Sequence, residues 1–125
     1  MKTRHYRDLQ IWQCSMDLVR QIYSATGNFP KQEIFGLASQ LRRAAVSIPS
    51  NIAEGQGRGT DRSFTLFLKQ ARGSLFELQT QIELARDLSL IEPHEADKLL
   101  HETVEIARML NGLLRTLSAN CTDAS

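Results

Sequence analysis

Residues 93–118 read PHEADKLLHETVEIARMLNGLLRTLS. Ala96, Leu99, Thr103, Ile106, Leu110, Leu113 and Leu117 recur at alternating spacings of three and four, and Leu100, Val104, Ala107 and Leu114 widen the stripe on one side. An α-helix returns to one face every 3.6 residues, whereas a strand alternates faces with a period of two, so this run is one apolar face of an amphipathic helix. Upstream, Phe64, Leu68, Ala71, Leu75, Leu78, Ile82 and Ala85 repeat the pattern, as do Ile34, Leu37, Leu41, Ala45, Ile48 and Ile52. No segment alternates as a half-buried strand would. The reading is all-α.

The breaks between these runs fit helix ends. Thr26-Gly27-Asn28-Phe29-Pro30 stops the first helix, since glycine suits the residue after a helix and proline cannot continue one. The glycine cluster Gly55, Gly57 and Gly59 marks the second connection, after which Thr60 or Asp61 can cap the third helix by accepting a bond from a free backbone N–H. Glu92-Pro93 opens the fourth, because proline is tolerated in a first turn where no helical N–H bond is due. Helices over 8–26, 31–55, 61–89 and 93–118 are expected, the third about 40 Å long at about 1.5 Å per residue. Short connections favour antiparallel neighbours, so the expected architecture is an antiparallel up-down-up-down four-helix bundle. Residues 1–7 are then a basic N-terminal tail, 8–118 a single bundle domain and 119–125 a C-terminal tail.

Pro49 falls inside the second apolar stripe. A kinked second helix is expected there, with Asn51 and Glu54, three apart on one face, either bonding backbone groups the kink exposes or helping to bind a ligand. A clean break with Ser47 as a new N-cap is the competing reading.

Composition narrows the function classes. Of 125 residues, 42% are apolar and 23% charged, which suits a folded water-soluble domain. No apolar run approaches the roughly 20 residues needed to cross a bilayer, and residues 1–30 lack a secretion signal's apolar segment and cleavage site. Cys14 and Cys121 make neither a disulfide framework nor a four-ligand zinc site. A cytoplasmic protein without membrane attachment is expected.

Catalytic patterns are missing. A di-iron bundle needs Glu-x-x-His pairs, which do not occur, and His94 and His101 stand about two turns apart, too far to share one ion. Gly55-Gln56-Gly57-Arg58-Gly59 lacks both a preceding strand and a following Lys-Ser or Lys-Thr pair, so it is an interhelix loop rather than a phosphate loop. Nothing resembles a nucleophile with its base and orienting carboxylate. No enzyme activity, cofactor or metal site is expected.

Charge is more informative. The chain nets +1, with eleven arginines among fifteen basic residues, but the signs are unevenly placed. Residues 1–7 carry Lys2, Arg4 and Arg7. Residues 42–72 carry Arg42, Arg43, Arg58, Arg62, Lys69 and Arg72 against only Glu54 and Asp61, whereas residues 91–125 carry three basic and six acidic residues. Those six cations are the candidates for contact with RNA or DNA phosphates, because guanidinium grips phosphate in a bidentate way. Between Arg42 and Arg72 the only aromatic residues are Phe64, part of the apolar stripe, and Phe67, so no repeated stacking platform runs among the cations. The competing reading neutralises them against Glu54, Glu77 and other carboxylates.

The helices also carry surplus apolar surface. On the first, Leu9, Trp12, Met16, Val19 and Tyr23 form one stripe, and Ile11, Leu18 and Ile22 form a second, displaced one. On the third, Leu66, Phe76 and Leu84 lie off the main stripe. Ile11, Leu18, Ile22, Leu66, Phe76 and Leu84 are therefore the candidate contacts between copies of the chain.

One string is more specific than any periodicity. Residues 39–55, SQLRRAAVSIPSNIAEG, resemble the signature of the four helix bundle protein family, which includes proteins encoded by intervening sequences of bacterial 23S ribosomal RNA genes. DLQIW at 8–12, FP at 29–30, FGL at 35–37, FL at 67–68 and ARGSLFEL at 71–78 extend the resemblance across residues 8–89. It implies an antiparallel four-helix subunit assembled into a barrel-like homopentamer. A related branch, the accessory protein of diversity-generating retroelements, binds reverse transcriptase and nucleic acid through basic surfaces. That branch is strongly basic, unlike this chain. The resemblance thus implies a nucleic-acid-associated accessory or scaffold protein, and the alternative is a protein–protein interaction module that binds no nucleic acid.

Overall fold

Four helices carry the chain: α1 Gln10–Thr26, α2 Leu37–Gly57, α3 Asp61–Asp87 and α4 Pro93–Ala124. A computed structural model describes residues 5–124, with side chains for 5–120, and among these no strand occurs. Lys2, Arg4 and the Cys121 side chain lie outside the described residues. Each helix packs on two neighbours, α1 on α2 and α4, and α3 on α2 and α4, which closes a four-membered ring around one core.

Side-chain contacts between α3 and α4 run in reversed order, Arg72 to Asn111, Gln79 to Thr103 and Arg86 to Asp97, so these two helices are antiparallel. The same reversal links α2 and α3, where Gly55 sits by Phe67 and Ser47 by Ser74. Leu41, Ile48, Ile52, Leu68, Leu75, Leu78, Ile82 and Leu110 are fully buried. Burying each such side chain contributes about 1.5–3 kcal/mol, so these stripes supply most of the drive to fold.

Several expected boundaries move, each for a local reason. His5 caps a 3-10 turn at Tyr6–Asp8, and Gln13 Nε2 donates to the Arg7 carbonyl at 2.8 Å, so part of the supposed tail is tied to α1. The second segment does not start as α-helix at 31. Lys31–Glu33 is a 3-10 turn after Pro30, and α2 begins only past Gly36, leaving Ile34 and Phe35 outside the core. α4 continues through the expected tail to Ala124.

α2 runs unbroken through Pro49, so the clean break at Ser47 does not occur. Polar side chains gather around that turn. Asn51 Nδ2 donates to the Ser47 carbonyl at 2.8 Å and Ser50 Oγ to the Val46 carbonyl at 2.8 Å. Ser47 Oγ in turn lies 2.8 Å from Ser74 Oγ, joining the proline turn to α3. Asn51 therefore bonds a backbone carbonyl, that of Ser47, rather than the Ala45 carbonyl that Pro49 leaves without a helical N–H. Glu54 instead pairs its carboxylate with Arg58 at 2.8 Å.

Glycine explains the second connection, though not as one loop. Gly55 is buried inside α2, where a Cβ would stand 2.6 Å from Phe67 Cβ, so only glycine lets the helices approach this closely. Gly59, at φ +85°, supplies the left-handed residue that turns the chain. Thr60 Oγ1 then accepts the Ser63 N–H at 3.1 Å, the cap expected at this end of α3.

The apolar stripes of α1 require a correction. Ile11, Leu18 and Ile22, expected at contacts between copies, are at most 5% exposed and form part of the subunit core. The stripe that faces outward holds Trp12, Met16 and Val19, partly covered, and the exposed Tyr23. Two adjacent stripes cannot be ranked without knowing where the neighbouring helices lie. Leu66, Phe76 and Leu84 are exposed as expected, at 56%, 51% and 46%.

Candidate nucleic-acid interface

The six candidate cations do not form one patch. Arg42 and Arg43 lie early in α2, beside the α1–α2 connection. Arg58 and Arg62 flank the α2–α3 connection at the far end of α2, and Lys69 and Arg72 follow along α3.

Arg42 is held from within. Its Nε donates to Thr26 Oγ1 at 2.8 Å, and its guanidinium carbon stands 4.6 Å from the centre of the Tyr23 ring. Thr26 Oγ1 itself donates to the Ile22 carbonyl at 2.7 Å, so the arginine clips α2 to the end of α1. Arg43 is exposed beside it, and Tyr23, Ile34 and Phe35 line the same groove. The fold therefore brings two aromatic rings to arginines that have none near them in sequence. Phe35 is 96% exposed.

Arg58 is neutralised. It pairs with Glu54 and lies 4.9 Å from the centre of the Phe67 ring. Here the competing reading, an arginine matched by a nearby carboxylate, describes the residue.

Arg62, Lys69 and Arg72 behave differently. With Thr65 they follow a 3-4-3 spacing along one face of α3, and they line a groove of about 460 Å3 between α3 and α4. The opposite wall is Asn111, Leu114, Arg115 and Ser118 of α4. Among the described residues no carboxylate lines the groove, and none of Arg62, Lys69, Arg72 and Arg115 makes an ion pair. Arg72 Nη1 donates to Asn111 Oδ1 at 2.9 Å, which fixes the guanidinium while leaving four of its five N–H donors. Thr65 Oγ1 is buried with no hydrogen-bond partner. Four unmatched cations in a concave surface raise the local positive potential far more than a net +1 suggests.

Arg115 escaped the sequence reading because its own segment is net acidic. The available signal was geometric: Arg62, Thr65, Lys69 and Arg72 make a polar stripe that an antiparallel α4 must face with its residues 111–118.

Residues 7–112 match the family described as 23S rRNA-intervening sequence protein. The chain belongs to that family. A 1.70 Å crystal structure from Bacteroides thetaiotaomicron VPI-5482, titled as a protein of unknown function from the S23 ribosomal protein family, is similar to it. Its TM-score is 0.78 at 20% identity, covering 83% of this chain and 97% of the other, so the likeness is one of fold. No curated protein matches the chain.

Among the described residues no three His, Cys, Asp or Glu side chains converge as metal ligands, and no helix is long and apolar enough to cross a membrane. The Cys14 thiol is pushed above its ordinary pKa, first by burial and then by the nearby charges of Asp17 and Glu102, the opposite of what a nucleophile needs.

Proposed function

We propose that this protein is a non-enzymatic, homo-oligomeric accessory or scaffold protein that associates with nucleic acid through its basic surfaces. The observation that carries the reading is the set of four cations, Arg62, Lys69, Arg72 and Arg115, that share one groove with no carboxylate among the described residues to neutralise them. Contacts from such groups go to phosphates, so binding is independent of sequence and falls steeply with salt. Self-assembly into a ring, with a pentamer as the form the resemblance implies, repeats the groove and multiplies its field. The exposed Leu66, Phe76 and Leu84 are the side chains that neighbouring copies would cover.

The test is a titration of the purified protein with RNA and with DNA at two salt concentrations, beside native mass spectrometry. Binding at low salt that weakens at higher salt supports the reading, and no binding at low salt overturns it. A ring supports the assembly, whereas a monomer removes it. A second reading, a module that recruits a polypeptide, is favoured by Phe35, whose ring is 96% exposed among the described residues. A protein partner that survives nuclease treatment and is lost in Phe35→Ser would select it.

A further inference from the structure

We infer that the α3–α4 groove is a track for one unpaired nucleic-acid strand, entered by its phosphodiester backbone and indifferent to its bases. This rests on the nucleic-acid reading and adds the kind of strand and its place.

The cations stand on both walls, Arg62, Lys69 and Arg72 on α3 and Arg115 on α4. A backbone lying between them is flanked by positive charge on two sides. Along α3 the three cations extend over ten residues, about 15 Å, enough for a short run of phosphates. A single flexible backbone lying in the crevice meets cations from both walls, whereas a duplex, whose two backbones are held rigidly apart across grooves, brings only one of them to the rim.

Two further features suit phosphate. The Arg72–Asn111 bond presents the guanidinium in a fixed direction, so little side-chain freedom is lost on binding. The Thr65 hydroxyl lacks a partner among the described residues, and rotation about its Cα–Cβ bond offers an O–H donor to an anion in the groove. No aromatic ring lines the walls, so base stacking contributes nothing there and the base sequence is not read. The aromatic corner at Tyr23 and Phe35 lies by the other end of α2 and serves as an internal control.

The experiment is fluorescence anisotropy with a short single-stranded RNA, a second single strand of different sequence, and a duplex of the same length. The two single strands should bind alike, and about ten-fold more tightly than the duplex. Arg115→Glu should weaken single-strand binding about ten-fold, whereas Arg43→Glu leaves it within about two-fold. Arg115→Ala should flatten the log–log salt slope by about 0.7, the value for one lost contact to a single strand. Thr65→Val should cost about three-fold, with Thr65→Ser close to wild type, matching the loss of one hydroxyl donor.

Equal or tighter duplex binding overturns the track, as does an affinity that follows Arg43 rather than Arg115, and either leaves the general nucleic-acid reading standing. Failure of every nucleic acid to bind at low salt overturns both. Polyglutamate binding more tightly than the single strand assigns the groove to an acidic polypeptide and overturns the track as well.

Discussion

The corner at Arg42 and Arg43 and the groove at Arg62, Lys69, Arg72 and Arg115 carry the same kind of charge in opposite states. Arg42 is spent internally, stacked on Tyr23 and bonded to Thr26, so its charge helps hold α2 against α1. Of the groove's four cations, only Arg72 has a hydrogen-bond partner among the described residues, an amide that orients without neutralising, and the positive charge stays available. Arginine-rich sequence therefore does not by itself mark a binding surface. Whether an arginine is structural or free depends on what the fold puts beside it, and substitutions can separate the two states.

The largest stability effect should come from Gly55→Ala, which acts at the groove's end of the molecule. The new Cβ would meet Phe67 Cβ at 2.6 Å and a Phe64 ring carbon at 3.1 Å. Alanine gains about 1 kcal/mol in helix propensity, but an atom fixed to one backbone pressed against one fixed to another forces the helices apart. Overpacking of this sort costs about 1–3 kcal/mol, so after the propensity gain a net loss of up to about 2 kcal/mol is expected in chemical denaturation. Because the displaced segment carries Arg62, single-strand binding should weaken too, while the Tyr23–Arg42 corner stays intact. A gain in stability would show that Phe67 can move aside freely.

Next in size is the contrast between the two arginine states. Arg42→Ala removes a hydrogen bond worth about 1 kcal/mol and a ring contact worth about 0.5–1 kcal/mol, so the unfolding free energy should fall by about 1.5 kcal/mol. Lys69→Ala should change stability by less than about 0.5 kcal/mol, because an exposed cation without a partner among other cations holds nothing together. Its effect belongs to nucleic-acid affinity and salt slope. If Lys69→Ala destabilises as much as Arg42→Ala, the two regions do not differ in the way described.

How much of this difference was legible in the sequence has a physical answer. The helices were, because a stripe such as Leu68, Leu75 and Ile82 repeats with the helix's own period and needs no partner to be seen. The general position of the cations was, because charge is written in the residues. Their state was not. Glu54 lies four residues from Arg58, so that pairing could be anticipated, whereas Thr26 and Tyr23 reach Arg42 only after α1 and α2 fold together. Arg115 joins Arg72 from a net acidic segment because α3 and α4 run antiparallel, a relation no local window contains. The same blindness misplaced Ile11, Leu18 and Ile22, whose stripe and its neighbour differ only in what lies opposite. Gly55 was read as part of a loop, since sequence marks glycine without saying whether a turn or a close helix contact requires it.

A smaller gain tests the turn on which the groove's α4 wall depends. Ser89 ends α3 at φ +62°, with Leu90 N–H bonded to the Ala85 carbonyl at 2.8 Å. This is the left-handed helix end at which glycine is usual and a side chain is strained. Ser89→Gly should raise stability by about 0.5–1 kcal/mol, seen as a higher denaturation midpoint with single-strand affinity unchanged.

The smallest effect expected of a single subunit is the most informative about assembly. Phe35 is 96% exposed and follows a 3-10 turn that the core does not need. Phe35→Ser therefore removes no packing within the subunit, and its unfolding free energy in dilute solution should stay within about 0.5 kcal/mol of wild type. In an assembly that buries the ring, the same substitution removes up to about 3 kcal/mol of transfer energy per copy, and the loss grows with protein concentration because association contributes to stability. Measuring Phe35→Ser and wild type at two concentrations separates these cases. A loss at both concentrations alike would mean the ring is held by its own chain after all, and the corner would then be as internally committed as Arg42.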